Sequence, residues 1–133
     1  MSSIRYLSGE WIEAVATRVA QSAPLQSLAA THSVGVTQVV TDTPFGDVTY
    51  HFSVAAGRAN FGTGPAAPED VRFSQSWATA LAINDDSLSP DEAILLGHVT
   101  FVGDHTKLVA AGDVFALLDP IFDDVRGLTT FAD

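Results

Sequence analysis

The sequence predicts an α+β fold, because period-two strand patterns and capped helix patterns follow one another along the chain. The clearest strand is Val48–Val54, where apolar and polar residues alternate as on a half-buried sheet surface. The clearest helix begins at Ser89–Glu92, which combines a capping hydroxyl, a proline at the first helical position and a glutamate able to reach back. Gly97 closes that short helix, and His98–Val102 returns to strand alternation.

The first half of the chain predicts one helix and a meander of three strands. Ser8 is the expected cap of a helix that runs to about Ser22, and Pro24 either ends it or opens a second short turn. The predicted strands are Val34–Thr41, Val48–Val54 and Ala59–Phe61. Short turns between them favour antiparallel pairing, and a phase shift in the first strand indicates a bulge or burial on both faces.

The second half predicts two further strands, each leading into helices. Val71–Phe73 is the first strand, and Ser74 is the expected cap of the helix that carries Trp77. His98–Val102 is the second strand, and Asp104 is the expected cap of a longer helix. In that helix apolar and small residues recur at helical spacing: Leu108, Ala111, Gly112, Phe115 and Leu118. Asp119-Pro120 is then expected to stop or restart the helix.

Composition is that of a compact globular protein. The 133 residues are 47% hydrophobic and 17% charged, which argues against disorder and favours a single domain over residues 1–133. No uninterrupted apolar run approaches the roughly 18 residues of a membrane span. The N-terminus lacks the basic start and the apolar run of a secretory signal, which predicts a cytoplasmic protein.

The charge balance excludes several classes of partner. With 16 acidic and 6 basic residues the formal charge is -10, which repels phosphate backbones and anionic lipid surfaces. The basic residues are scattered, so no basic run forms a polyphosphate or membrane patch. Neither nucleic acid nor strong binding to anionic membranes is therefore expected.

No motif for catalysis or metal binding is found in the sequence. The histidines His32, His51, His98 and His105 lack the i, i+4 helical spacing of a hydrolytic zinc motif, so no metal site is predicted. The chain has no cysteine and no Gly-x-Ser-x-Gly elbow, which leaves covalent acyl transfer unsupported. The glycine-rich stretch 57–64 is interpreted as a turn between strands, and no cofactor or catalytic residue is predicted.

Several blocks of the sequence resemble the sterol carrier protein 2 family. They are Tyr6–Trp11 near the N-terminus, Val71–Ser74 ahead of the Trp77 helix, Gly97 after the short helix, and Val99–Asp104 ahead of the last long helix. The order of the predicted elements is similar as well. Gly97 and the pair Gly103-Asp104 are the most specific part of this resemblance.

The resemblance implies a five-stranded, mostly antiparallel sheet with helices covering one face and a hydrophobic tunnel between them. It also implies a non-enzymatic protein that binds or transfers an apolar lipid such as a fatty acid, a sterol-like molecule or a fatty acyl group. The expected tunnel lining is Phe52, Phe73, Trp77, Leu81, Leu95, Val99, Phe101, Leu108, Phe115, Leu118 and Phe122. From spacing alone, residues such as Trp77, Phe101 and Phe115 also fit a plain core.

Two departures from the family narrow the expected ligand and location. With so few cations, the chain favours a neutral ligand or a free acid over a coenzyme A ester, whose phosphates need basic partners. The C-terminal Phe131-Ala132-Asp133 lacks the terminal leucine and the basic residue of a peroxisomal signal, so peroxisomal import is not expected.

Two functions of other classes stay open from the sequence. A small cofactor-independent enzyme would use a histidine and an aspartate as an acid–base pair in an apolar pocket, with His51 or His105 as the candidate histidine. An interaction domain would form a homodimer through the apolar tail Ile121–Phe131, which is too hydrophobic to be left in water. The same tail could instead close the tunnel.

Overall fold

The computed structural model describes residues 4–67, 69–85 and 87–130. The strands are β1 (Ile4–Arg5), β2 (Val34–Thr41), β3 (Val48–Ala55), β4 (Arg58–Thr63), β5 (Val71–Ser76), β6 (Val99–Gly103) and β7 (Thr129–Thr130). The helices are α1 (Gly9–Gln21), α2 (Ala23–Leu28), α3 (Trp77–Asn84), α4 (Pro90–Leu95), α5 (His105–Ala110) and α6 (Gly112–Arg126).

Five of the strands form one mixed sheet in the order β4-β3-β2-β5-β6. The β2–β5 pair is parallel and the other three pairs are antiparallel, which confirms the predicted five-stranded, mostly antiparallel sheet. The two-residue strands β1 and β7 pair in parallel at the chain ends, where the Ile4 amide donates to the Leu128 carbonyl at 2.8 Å. This pairing holds Tyr6 beside the C-terminal end of α6.

One face of the sheet is covered by helices, and we call it the inner face. Strand register aligns Tyr50, Gln38, Phe73 and Phe101 across four neighbouring strands on this face. Helix α1 packs on β4, α3 packs on β2 and β5, and α6 packs on α1 and α2. On the opposite face, the fully buried Thr37 accepts a hydrogen bond from the Ala66 amide at 3.0 Å, so β2 is buried on both faces.

Of the four helix caps that the sequence predicts, three are confirmed and one is not. Ser8, Ser89 and Asp104 accept hydrogen bonds from the amides three residues ahead, at 3.1 to 3.2 Å. The exception is Ser74, which stays in β5. Ser76 caps α3 instead, because its hydroxyl accepts from the Thr79 amide at 3.2 Å.

The last predicted helix is two helices, and its predicted stop is wrong. The chain turns at Ala111, a buried residue between α5, which has no buried side chain, and α6. Because of this turn, the apolar side of α6 packs against the rest of the protein. The buried residues on that side are Val114, Leu118, Ile121 and Val125. Pro120 lies inside α6 and does not end it. Much of the apolar tail therefore packs within the chain, while Phe131 lies outside the described residues.

In the part of the chain that the structure describes, none of the helices has both the length and the apolar character needed to cross a membrane.

Candidate functional site

A cavity of about 550 Å³ lies between the inner face of the sheet and helices α1, α3 and α6. This size falls within the range of roughly 300–1,000 Å³ that is typical of small-molecule sites. The lining combines aromatic and apolar side chains with amides and charged groups. The lining residues are Tyr6, Trp11, Gln38, Tyr50, Gln75, Ala80, Ile83, Asn84, Asp119, Phe122, Asp123 and Arg126.

The floor of the cavity is formed by three neighbouring strands. Gln38 of β2 lies between Tyr50 of β3 and Phe73 of β5, and Gln75 lies two residues beyond Phe73 on the same face. Because side chains alternate between the two faces of a strand, both glutamines must point to the helix-covered side. They interrupt a face otherwise made mostly of valine and aromatic residues, and they bring hydrogen-bonding groups beneath the helices.

Aromatic rings form one wall of the cavity. The Trp11 ring lies edge-on to Tyr50 with centroids 5.5 Å apart, and it stacks on Phe122 at 6.2 Å and 19°. Tyr6 meets Trp11 edge-on at 5.2 Å. Such pairs add about 0.5–1.5 kcal/mol beyond burial, so this wall is held in place by its own contacts.

The two tyrosines of the wall are held in the neutral form. Burial raises the pKa of Tyr6 to about 12, while the Asn84 side chain, which donates to its hydroxyl oxygen at 3.0 Å, acts in the opposite direction. Burial raises the pKa of Tyr50 well above its ordinary value, and the nearby Tyr6 adds to the effect. Neither ring therefore contributes charge to the cavity near neutral pH.

Charged groups reach the cavity from one face of α6. Asp119, Asp123 and Arg126 are spaced by four and three residues, which places them on the same side of the helix as Phe122. Arg126 Nη1 lies 3.3 Å from Asp123 Oδ1. With two carboxylates and one guanidinium, the cavity lining carries a surplus of negative charge. Because Asp119 and Asp123 are exposed, this negative charge lies on the solvent side of the cavity.

Two buried polar atoms of the lining have no hydrogen-bond partner among the described residues. They are Oε1 of Gln38, on the floor, and Nε of Arg126, on α6. Leaving a buried polar group unsatisfied costs about 1–3 kcal/mol. Both atoms are inaccessible to a water-sized molecule, so neither faces the open space of the cavity.

The structure distributes the predicted tunnel-lining residues over four environments. Phe122 lines the cavity. Four are buried in the core: Phe52, Trp77, Val99 and Leu118. Five are half-buried and pack against that core: Phe73, Leu81, Phe101, Leu108 and Phe115. The eleventh, Leu95, is 84% exposed at the end of α4 and is not brought together with the others.

The half-buried aromatic residues continue from the floor of the cavity. Phe73 is the register neighbour of Gln38, and its ring meets that of Phe101 on β6 edge-on at 5.3 Å. Phe115 of α6 lies over Phe52, with ring centroids 6.3 Å apart. We call Phe73, Phe101, Leu108 and Phe115 the apolar extension. It offers partly covered apolar surface beside the polar cavity.

The polar residues of the cavity were not predicted from the sequence. Gln38, Gln75, Asn84 and Arg126 belong to four different elements, and no motif connects them. One signal was present for Gln38, since it occupies an inward position in a strand whose other inward positions are valines.

The histidines do not join the cavity. His51 lies on the opposite face of the sheet, where its Nδ1 is 3.0 Å from the Gly64 carbonyl oxygen. His105 is exposed, with its ring 6.0 Å from that of Phe101. The residues that the structure describes contain no cluster of three or more His, Asp or Glu side chains suited to a metal ion.

Comparison with known proteins identifies the fold. No protein-family model matches the sequence, and no curated protein matches it. A crystal structure of sterol carrier protein 2 is 18% identical, with a TM-score of 0.64 over 93% of this chain and 99% of its own. A conserved hypothetical protein of Thermus thermophilus, described as a candidate sterol carrier protein, is 16% identical, with a TM-score of 0.61 over 100% of this chain and 96% of its own.

A third solved structure agrees with these two. Sterol carrier protein 2 of Yarrowia lipolytica, in its apo form, is 10% identical, with a TM-score of 0.58 over 77% of this chain and 84% of its own. At these identities the likeness concerns the fold. The predicted resemblance to sterol carrier protein 2 is thus confirmed at the level of the fold.

Proposed function

We propose that this protein binds an amphiphilic lipid, with the polar head in the cavity and the apolar chain along the apolar extension. One observation carries the proposal: a cavity with an aromatic wall and hydrogen-bonding groups shares its sheet face with the half-buried Phe73, whose ring contacts that of Phe101. The structures that share this fold are named as sterol carriers, which supports a lipid as the ligand. The proposal includes no chemical step.

The expected affinity suits a carrier. Burying about 14 methylenes gains roughly 11 kcal/mol at about 0.8 kcal/mol each. Association costs at least about 4 kcal/mol, which leaves about 7 kcal/mol and a dissociation constant in the micromolar range. A ligand held this loosely exchanges readily, so transfer between carriers or membranes is part of the proposal.

The predicted lining residues enter this proposal in different roles. Phe122 contacts the head or the first part of the chain, and the half-buried Phe73, Phe101, Leu108 and Phe115 contact the rest of it. The buried members of the predicted set belong to the core and support the residues that contact the ligand. Leu95 has no role, because its side chain faces solvent.

A cavity-filling substitution tests the proposal. Ile83 lines the cavity from α3, so Ile83→Trp should fill the head-group space and weaken binding of a fluorescent alkyl probe at least about tenfold. Val109→Trp is the matched control, because Val109 is 68% exposed and lies outside the cavity. Thermal unfolding of both variants confirms that they are folded. Undiminished binding by Ile83→Trp, or no saturable binding of any fatty acid, fatty alcohol or sterol by the unmodified protein, would contradict the proposal.

A further inference from the structure

We propose that Asp119 makes the cavity select lipids with a cationic head group, such as an alkylammonium ion, over lipids with an anionic one. This inference deepens the proposed function and rests on it, because it concerns the head group that the cavity receives. It follows from the way in which the charged residues of the lining pair with one another and from their exposure to solvent.

The charged residues of the lining leave one carboxylate without a cationic partner. They are Asp119, Asp123 and Arg126, all on α6. Arg126 Nη1 lies 3.3 Å from Asp123 Oδ1, so these two charges largely compensate each other. Asp119 forms no ion pair with any residue that the structure describes. The lining therefore presents one negative charge in excess, and Asp119 is its source.

A head group in the cavity can approach these carboxylates. Asp119 is exposed, and the side chain of Asp123 is 64% exposed. The two residues lie one helical turn apart, which separates their Cβ atoms by about 6 Å. Phe122, between them in sequence, also lines the cavity and is half-buried. Exposed carboxylates alone select no particular ligand, but these two border a cavity and apolar surface that suit an alkylammonium ion.

The rest of the lining offers nothing that attracts an anion more strongly. Arg126 is the only cation among the lining residues, and it is already paired with Asp123. The three side-chain amides of the lining are uncharged, and both tyrosines are neutral near pH 7. The formal charge of -10 on the whole chain adds a long-range repulsion. An anionic head group therefore meets the charge of Asp119 without an unpaired cation in return.

The size of the effect follows from Coulomb's law in water. One carboxylate about 4 Å away favours an ammonium group about fivefold and disfavours a carboxylate by a similar factor. Solvent and salt reduce both contributions, because Asp119 is exposed. The cationic ligand is therefore expected to bind about tenfold more tightly than the anionic one, with an uncharged ligand between them.

Three ligands with the same alkyl chain test the inference: tetradecylammonium, tetradecan-1-ol and tetradecanoate. At pH 8 the amine is protonated and the acid is ionised, so the set differs mainly in head-group charge. Each ligand is kept below its critical micelle concentration, and its affinity is measured by displacement of a fluorescent alkyl probe. The expected order of affinity is tetradecylammonium, then tetradecan-1-ol, then tetradecanoate.

Variants at Asp119 assign the preference to its cause. Asp119→Asn removes the excess charge and should reduce the difference between the cationic and the anionic ligand at least about threefold. Asp119→Lys should reverse the order, so that tetradecanoate binds more tightly than tetradecylammonium. Asp124→Asn is the matched control, because it removes the same charge from an exposed position of α6 outside the cavity lining. It should preserve the preference, and thermal unfolding establishes that all three variants are folded.

The outcomes separate this inference from the proposed function. If none of the three ligands displaces the probe, the proposed function fails. If all three bind with equal affinity, or if tetradecanoate binds most tightly to the unmodified protein, the lipid-binding proposal stands and the inference is overturned. Persistence of the cationic preference in both Asp119 variants, or its equal loss in Asp124→Asn, would also overturn the assignment to Asp119.

Discussion

Gly103 closes directly against the backbone of Asp70. Its φ of +130° lies in a region that side-chain-bearing residues rarely adopt, and a Cβ at this position would lie 2.2 Å from the Asp70 carbonyl oxygen. The next amide, that of Asp104, donates to the same oxygen at 2.9 Å. The Gly103-Asp104 pair therefore ends β6, starts α5 and connects both elements to Asp70, which precedes β5.

We expect Gly103→Ala to lower the free energy of unfolding by more than about 3 kcal/mol, because it combines backbone strain with a steric clash against Asp70. Urea denaturation measures the loss. Gly46→Ala is the matched control, since Gly46 has φ +102° but nothing near its Cβ position, and its cost should be only about 1–2 kcal/mol. Equal losses in the two variants would show that the contact with Asp70 does not matter.

The Asp70 side chain joins two neighbouring elements. Its Oδ2 accepts from the Gly35 amide at 2.8 Å, and its Oδ1 lies 3.2 Å from Lys107 Nζ. We expect Asp70→Ala to destabilise the protein by about 2 kcal/mol, mainly through the Gly35 amide left without a partner. Lys107→Ala should cost less than about 0.5 kcal/mol, because the lysine is 42% exposed and its ion pair is screened by solvent. Comparable losses of stability in Asp70→Ala and Lys107→Ala, measured by chemical denaturation, would contradict this assignment.

We expect Gln38→Met to raise the free energy of unfolding by about 1 kcal/mol. The substitution removes a buried acceptor that lacks a partner among the described residues and replaces it with an apolar side chain. Urea denaturation of Gln38→Met and of Gln21→Met, which makes the same change on the exposed end of α1, provides the comparison. A loss of stability confined to Gln38→Met would mean that Gln38 is already satisfied in the free protein.

Both tyrosines of the chain line the cavity, so we expect the free energy of unfolding to depend on pH in the alkaline range. Their pKa values are raised on folding, so the folded state favours the neutral forms. The resulting stability is fully present below the unfolded pKa of about 10 and is lost as the pH rises towards the folded values, about 12 for Tyr6. The free energy of unfolding should fall above about pH 10 by up to roughly 1.4 kcal/mol per pH unit for each tyrosine.

Absorbance near 295 nm measures this directly, because it reports tyrosinate. At pH 11 the native protein should show almost none, whereas a denatured control should be about nine-tenths ionised. Tyr6→Phe should lessen the dependence of stability on pH in the alkaline range without abolishing it. A tyrosinate signal that rises near pH 10 while circular dichroism remains native would contradict the burial of both rings.

Local signals predicted much of the fold. The caps Ser8, Ser89 and Asp104 each depend on a side chain and an amide three residues away, which a sequence pattern captures well. The break at Ala111 was missed because Leu108 to Leu118 keeps helical spacing across it, and only packing decides that the stripe of α6 must change direction. Likewise, the parallel β2–β5 pairing follows no short-range signal.

The candidate site was predicted much less well. Its polar residues come from positions as far apart as Gln38 and Arg126, and each is unremarkable in its own segment. Apolar spacing pointed instead to core residues, since burial in a core and contact with a ligand have the same sequence signature. Leu95 was misplaced because Ala93–Leu96 is apolar throughout, so periodicity could not distinguish the buried Ala93 from its exposed neighbours.

The most direct test of lipid binding in this cavity is an NMR measurement of contacts between the protein and bound tetradecan-1-ol. We expect intermolecular NOEs from the alkyl chain to the rings of Phe122, Phe73 and Phe101, and from the methylene next to the hydroxyl to the side-chain amide of Gln38. NOEs confined to exposed apolar residues such as Leu95, or the absence of saturable NOEs, would contradict the account.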